Sequence, residues 1–147
     1  MSKGIKESAD SAESFIDRVK IAIRSGDREK IDDVVSEVYV LDEGMHQLKV
    51  LNNLLILKGH YDHQPITKAI QDYGHPSSIG YIETVIENGF EHLEYSGSES
   101  DSIAKWFSHA LSSIGTKEAI ALIAKYSKST DPGISAEMRY RLERIKT

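Results

Sequence analysis

Apolar residues recur at spacings of three and four along nearly the whole chain, and strict alternation is absent. That periodicity predicts an all-α protein. A first helix, about Ser11 to Arg24, places Phe15, Ile16, Val19, Ala22 and Ile23 on one side, and Ser25-Gly26-Asp27 stops it and caps the next. The second, about Arg28 to Leu41, carries Ile31, Val34, Val35 and Val38. A third opens at Gly44 with Met45, Leu48, Leu51, Leu54 and Leu55, and Gly59 is expected to end it. Asp62 is the expected cap of a fourth, with Pro65 in its first turn and Ile66, Ala69, Ile70 and Tyr73 facing inward.

After the Gly74-His75-Pro76 break, a fifth helix uses Ile79, Ile82, Val85 and Ile86 and stops at Asn88-Gly89. The stretch from Phe90 to Ser100 reads as a connection. The sixth helix, about Asp101 to Ile114, holds Ile103, Trp106, Phe107, Ala110 and Leu111. Thr116 caps a seventh, and Asp131-Pro132 starts an eighth.

Self-alignment gives these eight helices an order. A shift of 41 residues lays Ile66 on Phe107, Ala69 on Ala110, Ile70 on Leu111, Gly74 on Gly115 and Ile82 on Ile123. A shift of 31 lays Ile103 on Ile134, Phe107 on Met138 and Leu111 on Leu142. The difference fits an insertion at about Glu91 to Ser100. The expected architecture is therefore an α-solenoid of antiparallel helical hairpins in a single domain, 1–147. An N-terminal hairpin fills 1–43, and repeats fill 44–147 with an acidic insertion near 90–100. An ordinary helical bundle is the alternative.

Composition agrees with a folded chain: 39% of residues are hydrophobic and 28% charged, away from the disordered extreme. There is no cysteine, so thiol catalysis, disulfides and thiolate metal sites are excluded. The longest apolar run, Leu54-Leu55-Ile56-Leu57, is too short for a membrane span, and the first residues lack an apolar leader. A cytoplasmic protein without membrane contact is expected.

Charge is distributed unevenly. No Lys or Arg occurs between Lys68 and Lys105, whereas Asp72, Glu83, Glu87, Glu91, Glu94, Glu99 and Asp101 all fall there, interleaved with aromatic residues such as Tyr95. Glu83 and Glu87 stand four apart on one helical face, a repulsive arrangement that calls for compensation. A basic partner protein would supply it, with aromatic anchors and steering carboxylates, and a solvated surface is the competing reading. Glu83, Glu87, Glu91, Glu94, Tyr95, Glu99 and Asp101 are thus the candidate partner-binding residues. The basic residues Lys117, Lys125, Lys128, Arg139, Arg141, Arg144 and Lys146 fit a solvated end of the stack better than a nucleic-acid site, and direct nucleic-acid binding is not expected.

No catalytic apparatus is visible: no nucleophile elbow, no phosphate-binding glycine loop, and a single Glu-x-x-His unit, Glu43 to His46, where a di-metal bundle needs two. No metal or cofactor is called for, and the chain reads as a non-enzyme. His60 and His63 admit two roles, helix termination or a ligand pair.

The run His109-Ala110-Leu111-Ser112-Ser113-Ile114-Gly115-Thr116-Lys117-Glu118-Ala119-Ile120 resembles the consensus of short HEAT-like repeats, which implies a HEAT-like solenoid. His60-Tyr61-Asp62-His63-Gln64-Pro65-Ile66, Pro76-Ser77-Ser78-Ile79-Gly80-Tyr81 and Phe90-Glu91-His92-Leu93-Glu94-Tyr95 are similar to segments of small bacterial HEAT-like proteins. Several of those resemble immunity proteins of contact-dependent growth inhibition and polymorphic toxin systems. The chain departs from them at Gly59 and Gln64, where a Trp and an acidic residue are common. The resemblance implies an immunity protein that binds and occludes a cognate toxin, a basic nuclease being the class the acidic region suits. A HEAT-like adaptor or scaffold in signalling or assembly is the alternative. Oligomeric state is left open.

Overall fold

Short polar side chains fix four of the eight described α-helix starts. A computed structural model describes residues 11–146, and every element in it is helical. Residues 1–10 and Thr147 of the expected domain, and the Lys146 side chain, lie outside the described part. Helix α1 spans Ala12–Ser25, with the Ser11 hydroxyl accepting the Ser14 N–H, and Gly26 closes it at a positive φ of 73°. Helix α2, Arg28–Ser36, starts at Asp27, whose carboxylate accepts the N–H groups of Glu29 and Lys30. Thr116 and Asp131 likewise cap α7, Lys117–Tyr126, and α8, Pro132–Lys146. These bonds satisfy orphan donors that every helix start exposes.

The remaining helices are α3, Met45–Leu55; α4, His63–Tyr73; α5, Ile79–Asn88; and α6, Ser100–Ile114. Three expectations need correction. The second helix does not continue as α-helix to Leu41; it tightens into a 3-10 turn, Glu37–Val40, which buries Val38 completely while leaving Val40 83% exposed. The third ends at Leu55 and not at Gly59, and the imidazole rings of His60 and His63 bond the Leu54 and Leu57 carbonyls. The connection after α5 is no plain loop: Glu91–Ser96 forms a 3-10 segment held down by buried Phe90 and Leu93.

Packing follows the sequence shifts. Helices α1, α3, α5 and α7 touch in succession, and so do α4, α6 and α8; α3 also packs on α4, and α7 on both α6 and α8. Apart from α2, each helix thus meets the one two places along or back, and the residues superposed by the shifts come from α4, α6 and α8 and from the pair α5 and α7. Hydrogen bonds span the same interval: Ser113 Oγ donates to the Gln71 carbonyl, and Ser100 Oγ to the Asp131 carboxylate. The N-terminal helix α1 packs along α3, extending the row.

One contiguous apolar core runs between the two rows, from Phe15 and Val19 through Leu51, Leu54, Ile66 and Ile82 to Phe107, Leu111 and Met138. Gly133 marks the closest approach of α8 to α6, since a Cβ there would lie 2.9 Å from the Asp101 backbone nitrogen. In an exposed helix, Gly→Ala stabilises by up to about 1 kcal/mol. Here the substitution must push α8 away, so Gly133→Ala is expected to destabilise by about 1–2 kcal/mol in denaturant titration. A stabilised variant would refute this packing.

Candidate functional site

The acidic candidates separate into two groups. Glu83 and Glu87 on α5 are neutralised from inside: Lys125 of α7 lies 3.4 Å from Glu83 and 3.2 Å from Glu87, and the Tyr126 hydroxyl donates to Glu87 at 2.6 Å. The hydrogen bond from Tyr126, then Lys125, holds the Glu87 carboxyl below its ordinary range. The bonds to Glu87 and Glu83 raise the Lys125 ammonium, and burial followed by Glu87 raises the Tyr126 phenol. The compensation assigned to an external partner for this pair is therefore already intramolecular. Asp72 is paired too, with Lys68 at 2.8 Å.

Glu91, Glu94 and Glu99 form the second group. All three are exposed, and among the described residues none makes an ion pair. They line one open cleft of about 520 Å³ with Phe90, Ile103 and Asp131. Local structure explains the placement: in the 3-10 segment Leu93 turns fully inward, Phe90 stacks on Phe107 at 5.7 Å, and the glutamates are left outward. Asp131 was legible only as a helix cap, which it is, yet it also joins this rim. Asp101 falls on a neighbouring surface between α6 and α8, with Lys105 and Arg141, and its carboxylate accepts the Ser102 N–H.

Tyr95 connects the 3-10 segment Glu91–Ser96 to the α3–α4 junction. Its hydroxyl accepts the His63 backbone N–H at 3.0 Å and sits 2.6 Å from His63 Nδ1. The two histidines are 1% and 0% exposed, with rings stacked 3.9 Å apart and nearly parallel. His60 Nε2 lies 2.7 Å from the Leu54 carbonyl and His63 Nε2 2.8 Å from that of Leu57. A carbonyl only accepts, so both Nε2 atoms carry the proton. Each Nδ1 is then an acceptor, from the Asp62 N–H for His60 and from the Tyr95 hydroxyl for His63. Both rings are neutral, and each has its lone pair spent on an internal donor.

The pair therefore terminates α3 and starts α4, the helix-termination role. Burial lowers His60, and it brings His63 down to about 3 with His60 adding to the effect. Among the described residues no group of three or more histidine or carboxylate side chains is arranged to hold a metal ion. The expected cap is corrected here: Asp62 accepts no N–H from α4, and its Oδ2 receives the Tyr39 hydroxyl at 2.9 Å.

Two polar clusters escaped sequence reasoning. Asn52, buried inside the apolar third helix, accepts the Ser78 hydroxyl at 2.7 Å; an amide on the leucine face was the available signal. Glu137 and Arg141 pair where α8 meets α6, and Ser108 donates to Glu137 at 2.6 Å. Their spacing of four on one helix was readable, but their burial was not.

No described helix is long and apolar enough to cross a membrane. No family model matches the chain, and neither a curated protein nor a solved structure shows significant similarity to it.

Proposed function

We propose that this chain is a HEAT-like α-solenoid that serves as an immunity protein, binding a basic toxin, a nuclease in the leading case, and blocking it by occlusion. One observation carries the reading. Where carboxylates serve the fold they are matched internally, as Glu83 and Glu87 are by Lys125, whereas Glu91, Glu94 and Glu99 on the inserted segment converge on one cleft without a cation. Unmatched like charges cost stability, and a positively charged partner relieves that cost on binding. The helix-on-second-helix packing supports the solenoid, because hairpins with two apolar faces stack in this way. Resemblance of the 60–66, 76–81 and 90–95 segments to bacterial immunity proteins supplies the partner class.

The test is co-expression with a toxin encoded beside this chain. The parent is expected to rescue growth and to co-purify with the toxin. Glu91→Lys, Glu94→Lys and Glu99→Lys together are expected to weaken binding by roughly two orders of magnitude or more while leaving helicity and thermal stability unchanged. Glu87 is kept, since its reversal would break the Lys125 and Tyr126 contacts and confuse folding with binding. Rescue by the triple variant, or no rescue by the parent, would overturn the proposal.

A further inference from the structure

Three tyrosines from distant parts of the chain converge beside the histidine pair. Tyr39 comes from the 3-10 turn after α2, Tyr61 from the α3–α4 junction and Tyr95 from the inserted segment. Tyr61 and Tyr95 meet edge to face at 5.4 Å. The Tyr39 hydroxyl donates to Asp62 Oδ2 at 2.9 Å, and the Tyr95 hydroxyl is bonded to His63, the residue after Asp62.

Tyrosines ordinarily reach the surface with the hydroxyl in water. Here both hydroxyls are held in bonds within the chain, to Asp62 for Tyr39 and to His63 for Tyr95, while each residue stays 40% exposed. Rings held in this way lose little side-chain freedom on binding, the property that makes aromatic residues effective anchors. Val40, beside Tyr39, is 83% exposed.

The chemistry of an occupant is displayed by the molecule itself. The Arg28 guanidinium lies 3.7 Å from the Tyr61 ring centroid, a close cation–π contact. Tyr39 and Tyr95 carry no such cation among the described residues. Asp62 Oδ2 is taken by Tyr39, while Oδ1 accepts no hydrogen bond from a described residue. Glu94 stands next to Tyr95, exposed and unpaired.

We propose that the ledge of Tyr39, Tyr61 and Tyr95 around Asp62 docks an arginine side chain of a basic partner protein, with the guanidinium against an open tyrosine face and donating to Asp62 Oδ1. This deepens the proposed function and rests on it, adding residues outside the acidic insertion and naming the partner group. Arginine is favoured over lysine because a planar guanidinium both stacks on a ring and donates in its own plane.

The experiment is an NMR titration of the isotopically labelled protein, at physiological ionic strength, with a short capped peptide alternating glycine and arginine. Matched lysine and glutamate peptides are the comparison. The arginine peptide is expected to shift the amides of residues 39, 40, 61, 62 and 95 and the tyrosine ring signals, with the lysine peptide weaker and the glutamate peptide silent. Asp62→Asn keeps an acceptor for Tyr39 and removes the charge; it is expected to reduce arginine-peptide affinity about tenfold. Shifts confined to the Glu91 and Glu99 side, equal responses to arginine and lysine, or affinity unmoved by Asp62→Asn would each overturn the ledge. Because no toxin is present, the two proposals fail separately. A chain that binds the peptide on the ledge and fails to protect cells refutes immunity alone, and a protecting chain with a silent ledge refutes the ledge alone.

Discussion

Lowering the pH from neutrality to 5 is expected to cost the fold about 2 kcal/mol through His63 alone. In the unfolded chain this imidazole titrates near its ordinary value of 6.5, while in the fold burial holds it at about 3. Between those values the unfolded state takes up a proton that the folded state refuses. Stability is therefore complete above about 6.5 and falls by about 1.4 kcal/mol per pH unit below it. His60, also lowered by burial, acts in the same direction. Protonation at Nδ1 would set a new N–H against the Asp62 amide hydrogen in one ring and against the Tyr95 hydroxyl in the other.

The window between 6.5 and 5 belongs to the histidines. Glu87, the carboxyl held low by Tyr126 and Lys125, contributes only once the pH approaches its ordinary value of 4.5. Denaturant midpoints at a series of pH values check the expectation. His63→Gln retains a donor for Leu57 and an acceptor for Tyr95, and it should flatten the slope in that window, leaving the shares of His60, His92 and His109, which are lowered as well. A parent protein equally stable at pH 7 and pH 5 would show that the rings are not buried as neutral groups.

Much of the architecture was readable because it rests on local rules. Three-and-four periodicity placed all eight described helices, and the caps Ser11, Asp27, Thr116 and Asp131 are decided within three residues of sequence. The failures share a cause, the intervention of distant groups. Asp62 has a good capping side chain, but Tyr39, far back in the sequence, claims it. The third helix stops early, and His60 and His63 fold back onto its end.

The charges of the candidate site were legible in the sequence, and their internal partners were not. Repulsion between Glu83 and Glu87 was rightly noticed, but its relief by Lys125 was not. A signal existed, since Lys125 lies 42 residues beyond Glu83, close to the shift of 41 that aligns the apolar positions. Applying the repeat to charges as well as to hydrophobic residues would have found the pairing. Nothing in the sequence, by contrast, announces the tyrosine ledge, whose members come from the 3-10 turn after α2, the α3–α4 junction and the 91–96 segment.

The end of the stack offers the second large effect. Removing the Glu137 side chain is expected to destabilise the protein by about 3 kcal/mol or more, because it strands the Arg141 charge in a place where water reaches poorly. Glu137 and Arg141 side chains are 10% and 14% exposed, respectively, and 3.5 Å apart. Glu137 also accepts the Ser108 hydroxyl of α6, so one carboxylate holds both its own helix and the neighbouring one. Arg141 reaches the same hydroxyl at 3.4 Å and donates to His109 Nε2 at 3.2 Å. For a domain of this size the loss corresponds to a Tm about 10 °C lower.

The comparison that isolates the pair is the double variant Glu137→Leu with Arg141→Met. An apolar pair of similar volume removes both desolvation costs, so the double variant should recover most of the stability lost in Glu137→Leu, with a coupling of about 2 kcal/mol. His109 gives an independent reading. Burial and then Arg141 lower its pKa, and Glu137 raises it, so Glu137→Leu should lower the pKa further and Arg141→Met should raise it. Singles that add up to the double within about 0.5 kcal/mol would show that the two charges do not depend on each other. The join between α6 and α8 would then rest on its buried apolar residues, Ile103, Phe107, Ile134 and Met138 among them, and on the Ser100–Asp131 bond.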